Sequence, residues 1–383
     1  MYFLVCYRNS KLTLKFLRSS LNVTLISGAR PNFMKVAPII HAIIAEQERG
    51  HNIQYRLVHT GQHYDKKMSG NFFTELNIPV PNANLGCGGG THAEQTAKIM
   101  LAFEKELLGN PSDLVLVVGD VTSTMACAIT AKKLRTQVAH VEAGIRSFDP
   151  SMPEEINRIV TDSIADYFFT TTPWAGENLR KAGVFDNRIY FVGNVMIDTL
   201  FKNIPRLKQP ALWREMGLKE KEYLILTMHR PGNVDQEEKL KAFMTAISTN
   251  TQGMPVIFPM HPRTRQRFDV AQITAPNIYP ISPLGYLEFN YLVKHSKAVI
   301  TDSGGITEET TVMNVPCLTL RDNTERPETI EIGTNELVGT DPSAIKIALD
   351  KLFSGNWKRG AIPEKWDGMA AERIVEILLK LNG

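Results

Sequence analysis

Disulfide chemistry has little to work with in this chain. Its 383 residues contain four cysteines, Cys6, Cys87, Cys127 and Cys317, widely separated and without a C-x-x-C pair. That excludes the usual zinc spacing and a disulfide framework, and it predicts a reducing compartment, the cytoplasm. Long apolar runs are missing too. None approaches the roughly 18 residues that a spanning helix needs, so membrane insertion is not expected. Net charge is small at +3, and the stretch 1–22 supplies four of the basic side chains, Arg8, Lys11, Lys15 and Arg18, with no acid. Setting those four aside takes +3 to −1. A near-neutral body argues against a nucleic-acid footprint. Within 1–22 the apolar piece precedes the charges, the wrong order for a secretory signal. This stretch is expected to be a disordered extension. The glycine-rich segment Gly86-Cys87-Gly88-Gly89-Gly90 lacks a G-x-G-x-x-G pattern after a strand, so it reads as a flexible loop over a cleft rather than a dinucleotide fingerprint.

What the chain does have is a repeated alternation of short apolar strands, polar loops and helices. It is too long for one ordinary core. Buried-strand patterns are expected over 22–26, 54–59, 114–118, 138–141, 168–171 and 189–192, and again over 223–227, 256–260, 278–281, 298–300 and 317–320. Leu114-Val115-Leu116-Val117-Val118 is apolar throughout, as a parallel strand covered on both faces requires. Helices are expected over 33–48, 93–106 and 370–381, with a helical linker near 195–220. Two α/β halves, each with polar residues after its strands, predict two Rossmann-like domains facing each other across a cleft. The expected divisions are 23–200, 201–365 and a closing helix in 366–383.

The candidate site residues cluster after the strands. Thr301-Asp302-Ser303-Gly304-Gly305 follows a buried strand and reads as a tight loop, with a helix expected from Ile306. Free backbone N–H groups at the positive end of a helix dipole, approached past glycine, make a phosphate site. Glu308 and Glu309 follow one turn later, where one can accept from a ribose. Arg30 lies after the first strand and Lys35 early in the next helix, both within reach of a phosphate in the same crevice. Asp120, Glu142 and Glu154 lie at or just beyond successive strand ends in the first half. A single carboxylate there is commonly a cap or a surface ion pair; three on successive crossovers at one end of a sheet, lining one crevice, point to a functional set.

Nine motifs in order then carry a resemblance: Gly28-Ala29-Arg30-Pro31, His59-Thr60-Gly61-Gln62-His63, Gly119-Asp120, His140 to Arg146, Pro153 to Arg158, His229-Arg230, His261-Pro262-Arg263, Asp302 to Glu309 and Arg321 to Pro327. Together, over about 23–370, they resemble the non-hydrolysing UDP-N-acetylglucosamine 2-epimerases. The resemblance implies a GT-B fold with a C-terminal helix crossing back to the first domain. It implies interconversion of UDP-GlcNAc and UDP-ManNAc without cofactor or metal, by elimination of UDP to a bound 2-acetamidoglucal, in the service of surface polysaccharide synthesis. It also suggests a homodimer. By the same resemblance Asp120, Glu142, Glu154 and His229 are catalytic. Arg30, Lys35, His63, Arg146, Asn194, Ser303, Gly304, Gly305, Glu309 and Arg321 bind the UDP-sugar. The family's allosteric loop is altered here to Thr60-Gly61-Gln62-His63-Tyr64-Asp65, which puts substrate activation in doubt. The same Thr-Gly-Gln-His loop occurs in relatives acting on UDP-2,3-diacetamido-glucuronic acid, the alternative substrate. A hydrolysing epimerase, a glycosyltransferase on the same fold and a non-catalytic UDP-sugar sensor are the remaining readings. The last two have no need of the three carboxylates.

Overall fold

The structure, a computed structural model, describes residues 20–62, 75–260, 262–271, 273 and 275–382. The side chains of Arg30, Pro231, Pro262 and Arg263 also lie outside that description, as do His63, His261 and most of the basic N-terminal stretch.

Among the described residues, two all-parallel sheets form the frame, an α/β arrangement of two Rossmann-like units. The first has the order β3-β2-β1-β4-β5-β6-β7. Its strands are β1 (Leu21–Ser27), β2 (Ile53–His59), β3 (Ala83–Asn84), β4 (Leu114–Val118), β5 (Gln137–Val141), β6 (Tyr167–Thr170) and β7 (Ile189–Phe191). The second has the order β10-β9-β8-β11-β12-β13, from β8 (Leu224–Thr227), β9 (Val256–Pro259), β10 (Ile278–Ile281), β11 (Ala298–Thr301), β12 (Cys317–Thr319) and β13 (Asn335–Leu337). In each sheet the order reverses once, between β1 and β4 and between β8 and β11. Chains leaving such a reversal run to opposite faces, and the crevice between them is where ligands sit in open α/β sheets.

Register makes the strand ends level. Val118 of β4 pairs with Val141 of β5. Thr227 of β8 pairs with Thr301 of β11, which pairs with Thr319 of β12. Residues one to three positions past these pairs therefore emerge side by side.

The apolar pattern of β4 explains its position. Leu114, Leu116 and Val118 enter one core while Val115 and Val117 enter the other, on the opposite face of the sheet. The second sheet is likewise covered on both faces.

Two helices begin earlier than the sequence predicts. The first spans Arg30–Glu48 rather than starting at Phe33, because Pro31 is preorganised for a first turn. Asn32 then braces it: its Oδ1 accepts from the Ala29 N–H (3.0 Å), and its Nδ2 donates to the Val118 carbonyl (2.9 Å). The second spans Gly304–Val312, so the glycines open the helix rather than precede it.

The final helix, Ala370–Leu381, packs on the first unit. Ala370, Ala371, Ile374, Val375 and Leu378 share a core with Ile39, Ile40 and Ile43. Burial of each large aliphatic side chain is worth roughly 1.5–3 kcal/mol, enough to hold the helix there. Asp198, in the helix Val195–Asn203, accepts from the Ala370 and Ala371 N–H groups at 3.1 and 2.6 Å. No helix among the described residues is long and apolar enough to cross a membrane.

Candidate active site

The first wall of the cleft is built on β4 and β5. Gly119 follows β4 at φ +69, a left-handed conformation that suits glycine. A Cβ there would stand 3.2 Å from Lys35 Nζ and 3.5 Å from Glu142 Oε2, between two groups that form an ion pair. Lys35 Nζ lies 2.6 Å from Glu142 Oε2, with both side chains nearly enclosed. Glu142 itself has φ +68, a conformation few non-glycine residues hold without a reason. Its Oε1 is buried and has no hydrogen-bond partner among the described residues.

Asp120 leaves the adjacent strand. Its Oδ2 accepts from Arg158 Nη2 at 2.6 Å and Nε at 3.1 Å, two charge-assisted bonds that hold that oxygen in place. Burial opposes its charge, but the Arg158 and Lys35 cations outweigh that and hold its carboxyl below the usual carboxylate range. Arg158 also donates to Glu155 (2.6 Å), which accepts from the Ser147 and Phe148 N–H groups and so pins the loop after β5.

Glu154 stands apart. It is exposed in the first turn of the helix Pro153–Ile164, and its negative charge is felt by Arg230 of the second unit. The structure thus gathers Asp120 and Glu142 around Lys35 and leaves Glu154 at the rim. Arg146 is nine-tenths buried and braces the wall: its Nη1 lies 2.6 Å from Asp162 Oδ2, while Asp162 Oδ1 meets His140 Nδ1 at 2.7 Å. His140 Nε2 reaches the Gly119 carbonyl (2.9 Å), so this buried network sits directly behind Asp120.

The second wall is built on β8, β11 and β12. Asp302 is fully buried and accepts from the His229 and Arg230 N–H groups (3.1 and 2.9 Å). Its Oδ1 also lies 2.9 Å from His229 Nδ1. Burial raises the Asp302 carboxyl, but the His229 ring and these N–H groups outweigh it and hold it down. A carboxylate on Nδ1 assigns the proton to that nitrogen and leaves Nε2 for the cleft.

Gly304 and Gly305 begin the helix Gly304–Val312, with Ser303 at the N-cap making no side-chain cap bond. A Cβ on Gly304 would fall 2.6 Å from Glu325 Oε1 and 3.6 Å from Arg321 Nη1. Arg321 Nη2 pairs with Glu325 Oε2 at 2.5 Å, while its buried Nε and Nη1 have no partner among the described residues. Burial opposes the charge of Glu325, yet Arg321, Arg326 and Arg158 pull its carboxyl down to about 2. Unpaired guanidinium N–H groups beside a glycine-opened helix N-terminus form an anion seat.

Glu309 points elsewhere. It accepts from the Tyr286 hydroxyl (2.8 Å) and Asn290 Nδ2 (3.4 Å), and burial pushes its carboxyl up to about 7. Asn194 is also fully enclosed. Its Oδ1 caps the helix Val195–Asn203 through the Met196 N–H (2.9 Å), and its Nδ2 donates to Glu308 Oε1 (2.9 Å).

Arg326, absent from the residues singled out by the sequence, joins the walls. Its Nε lies 2.6 Å from Glu308 Oε1 and its Nη2 3.3 Å from Glu142 Oε2. Burial works against its charge, but Glu308 and Glu142 hold it firmly protonated. The Thr-Glu-Arg-Pro context was a visible signal; its reach across the cleft was not. Among the described residues no group of three or more His, Cys, Asp or Glu is disposed to hold a metal ion.

This arrangement matches known proteins closely. The family model described as UDP-N-acetylglucosamine 2-epimerase matches residues 45–379. A UDP-N-acetylglucosamine 2-epimerase of Methanocaldococcus jannaschii is 42% identical over 373 residues, covering 94% of this chain and 99% of the relative. The crystal structure of that organism's enzyme in complex with UDP-GlcNAc and UDP superposes with a TM-score of 0.85 at 40% identity, covering 94% of this chain and all of the other. A UDP-2,3-diacetamido-2,3-dideoxy-D-glucuronate 2-epimerase of Pseudomonas aeruginosa is 37% identical, over 94% of this chain and 100% of its own. With the match spanning both sheets and both walls of the cleft, the chain belongs to the non-hydrolysing UDP-N-acetylglucosamine 2-epimerase family of enzymes.

Proposed function

We propose that this protein interconverts UDP-GlcNAc and UDP-ManNAc by eliminating and re-adding UDP, on a GT-B fold that closes around the substrate. The units are 23–200 and 201–365, with 366–383 crossing back to the first. The observation that carries the reading is the division of the cleft. Carboxylates paired with cations line one wall, and cationic N–H groups unpaired among the described residues, with a glycine-opened helix, line the other.

The C2 proton of the sugar is a poor acid until the anomeric C1–O bond weakens. A base on the first wall takes that proton as the C1–O pair departs with UDP, leaving a C1=C2 double bond, the 2-acetamidoglucal. Asp120 and Glu142 are the groups placed for this exchange, with Glu154 brought in from the rim on closure. The charge that grows on the diphosphate is met by Arg321, the Gly304–Gly305 amides, Ser303 and His229 Nε2. Return of the proton to the opposite face, with re-addition of UDP, gives the epimer. No redox change occurs, so no nicotinamide is needed. Cytoplasmic location, a homodimer and supply of a surface polysaccharide pathway complete the reading. The 37% identity to the diacetamido-glucuronate enzyme favours one second substrate, the acidic diacetamido sugar nucleotide.

The test is proton NMR of the purified protein with UDP-GlcNAc in D2O. UDP-ManNAc appearing with deuterium at C2 of both sugars is the expected result. Free ManNAc with UDP would show hydrolysis instead. No change, followed by turnover of the diacetamido-uronic acid nucleotide, would replace the substrate and keep the chemistry.

A further inference from the structure

Glu308 is used by none of the steps above, yet it is 1% exposed and carries a carboxylate between the two halves of the molecule. We infer that Glu308, aligned by Asn194, is a positioning residue that aims Arg326 at Glu142, so that the placement of the second unit is read directly by a reacting carboxylate. This rests on the epimerase reading and deepens it.

The geometry runs in one direction. Asn194 Oδ1 must accept, because it caps the Met196 N–H at 2.9 Å; its Nδ2 therefore faces Glu308 Oε1, also at 2.9 Å. The same Oε1 takes Arg326 Nε at 2.6 Å. With Nε committed, the planar guanidinium has one orientation left, and that orientation puts Nη2 3.3 Å from Glu142 Oε2. Nη1 is buried and unpaired among the described residues. Asn194 lies directly after the first sheet, Glu308 and Arg326 in the second unit, and Glu142 back in the first. The path crosses between units twice, so a shift of the second unit cannot leave the Arg326–Glu142 distance unchanged.

Charge supports the assignment. Lys35 and Arg326 face Glu142 and Glu308, two cations against two anions in an enclosed space. Without Glu308, both cations converge on Glu142 alone, and the guanidinium is free to swing onto its face. A purely structural ion pair has no need to be strung between a helix-capping asparagine of the first unit and a reacting carboxylate.

The experiment compares Glu308→Gln, Asn194→Ser, Arg326→Lys and the Glu308→Gln/Arg326→Lys double variant with wild type in the D2O assay, with thermal midpoints recorded alongside. Gln keeps the shape of Glu308 and removes its charge. Ser keeps the cap on the Met196 N–H and loses reach to Glu308. Misplacing a reacting group by about 1 Å can cost about 100-fold, so Glu308→Gln should lower kcat and C2 deuteration together by about 10- to 100-fold. KM for UDP-GlcNAc should stay within about threefold, because ground-state binding is untouched. Asn194→Ser should follow in the same direction by a smaller factor. In the Arg326→Lys background, Glu308→Gln should add little, as expected when one residue acts through another. Unchanged kcat in Glu308→Gln, additive losses in the double variant, or a loss of activity matched by a fall in thermal midpoint would overturn the inference. If Glu308→Gln does not fold, Asn194→Ser with the same split of kcat from KM decides it. A wild type that neither epimerises UDP-GlcNAc nor exchanges C2–H overturns the epimerase reading itself, a result distinct from any of these.

Discussion

The two walls of the cleft share one construction and differ in what is left unpaired. Each is a parallel sheet whose level strand ends deliver side chains to a point of reversed strand order. On the first wall Asp120 and Glu142 are each matched to a cation, through Arg158 and Lys35 at 2.6 Å. On the second wall the cation Arg321 has a carboxylate partner on one nitrogen and, among the described residues, bare N–H groups on two others. The difference follows from two chemistries. On the proposed reaction, a carboxylate that takes a proton starts ionised, and the Arg158 and Lys35 cations favour that form of Asp120. A seat for a leaving diphosphate must keep donors free, because each one already satisfied offers nothing as charge develops. The scaffold sets where groups stand, and pairing sets which wall does which task.

The sharpest way to break this division is Glu142→Gln. General base function is worth about 10²- to 10⁴-fold, so turnover should fall by that order. If the diphosphate is met by the other wall as proposed, UDP affinity, measured by titration calorimetry, should hold. If affinity falls in step with turnover, the walls do not divide the work.

Arg321→Met attacks the opposite wall. UDP affinity should drop, and Glu325 loses its direct partner while Arg326 and Arg158 still act on it, so the loss in urea unfolding should stay below the about 3–5 kcal/mol of a fully unpaired buried charge. Adding Glu325→Leu should return most of the stability and none of the affinity. Recovery of both would mean that Arg321 serves the fold and not the ligand.

Asp302→Asn tests whether the second wall also orders a reacting group. A hydrogen bond to a charged partner contributes about 1.5–3 kcal/mol. His229 is more than half exposed, which places the effect at the low end, near a tenfold loss of kcat. Equal loss in Asp302→Asn and His229→Ala would identify orientation of the ring as the whole contribution of Asp302.

Much of this frame was legible in the sequence because it rests on short-range physics. The apolar run Leu114–Val118 and the closing helix Ala370–Leu381 appear with the expected bounds. Strands β3 and β13, two and three residues long, were missed because so few residues carry no period. In the site, the strand-end carboxylates were readable from position alone. Their partners were not: Arg326 and Glu142 are 184 residues apart, and nothing local announces that contact. Asn194 shows the reverse. The resemblance assigns it to the substrate; its place directly before Val195-Met196-Ile197 also fits an N-cap pattern, and it caps that helix.

The smallest expected effect separates carboxylates held low by their partners from those that burial pushes up. Asp120, Asp302 and Glu325 lie among cations or N–H donors and are held low. Asp198 lies away from the cleft, where burial dominates; the Ala370 and Ala371 N–H groups offset only part of it, and Glu372 and Asp367 add to the rise, so its carboxyl stands at about 7 against an ordinary 3.8. Glu309 and Glu328 also stand at about 7, chiefly through burial. Between those limits the folded protein holds protons that the unfolded chain releases. The stabilisation from these three groups is therefore full at the acid end of the window and lost as pH rises through about 7. Asp198→Asn keeps an acceptor for the Ala370–Ala371 N–H pair without titrating. Its unfolding free energy should fall less steeply between pH 4.5 and 7 than that of wild type. An unaltered slope would mean that the C-terminal helix docks on an ionised Asp198, its two N–H donors outweighing burial.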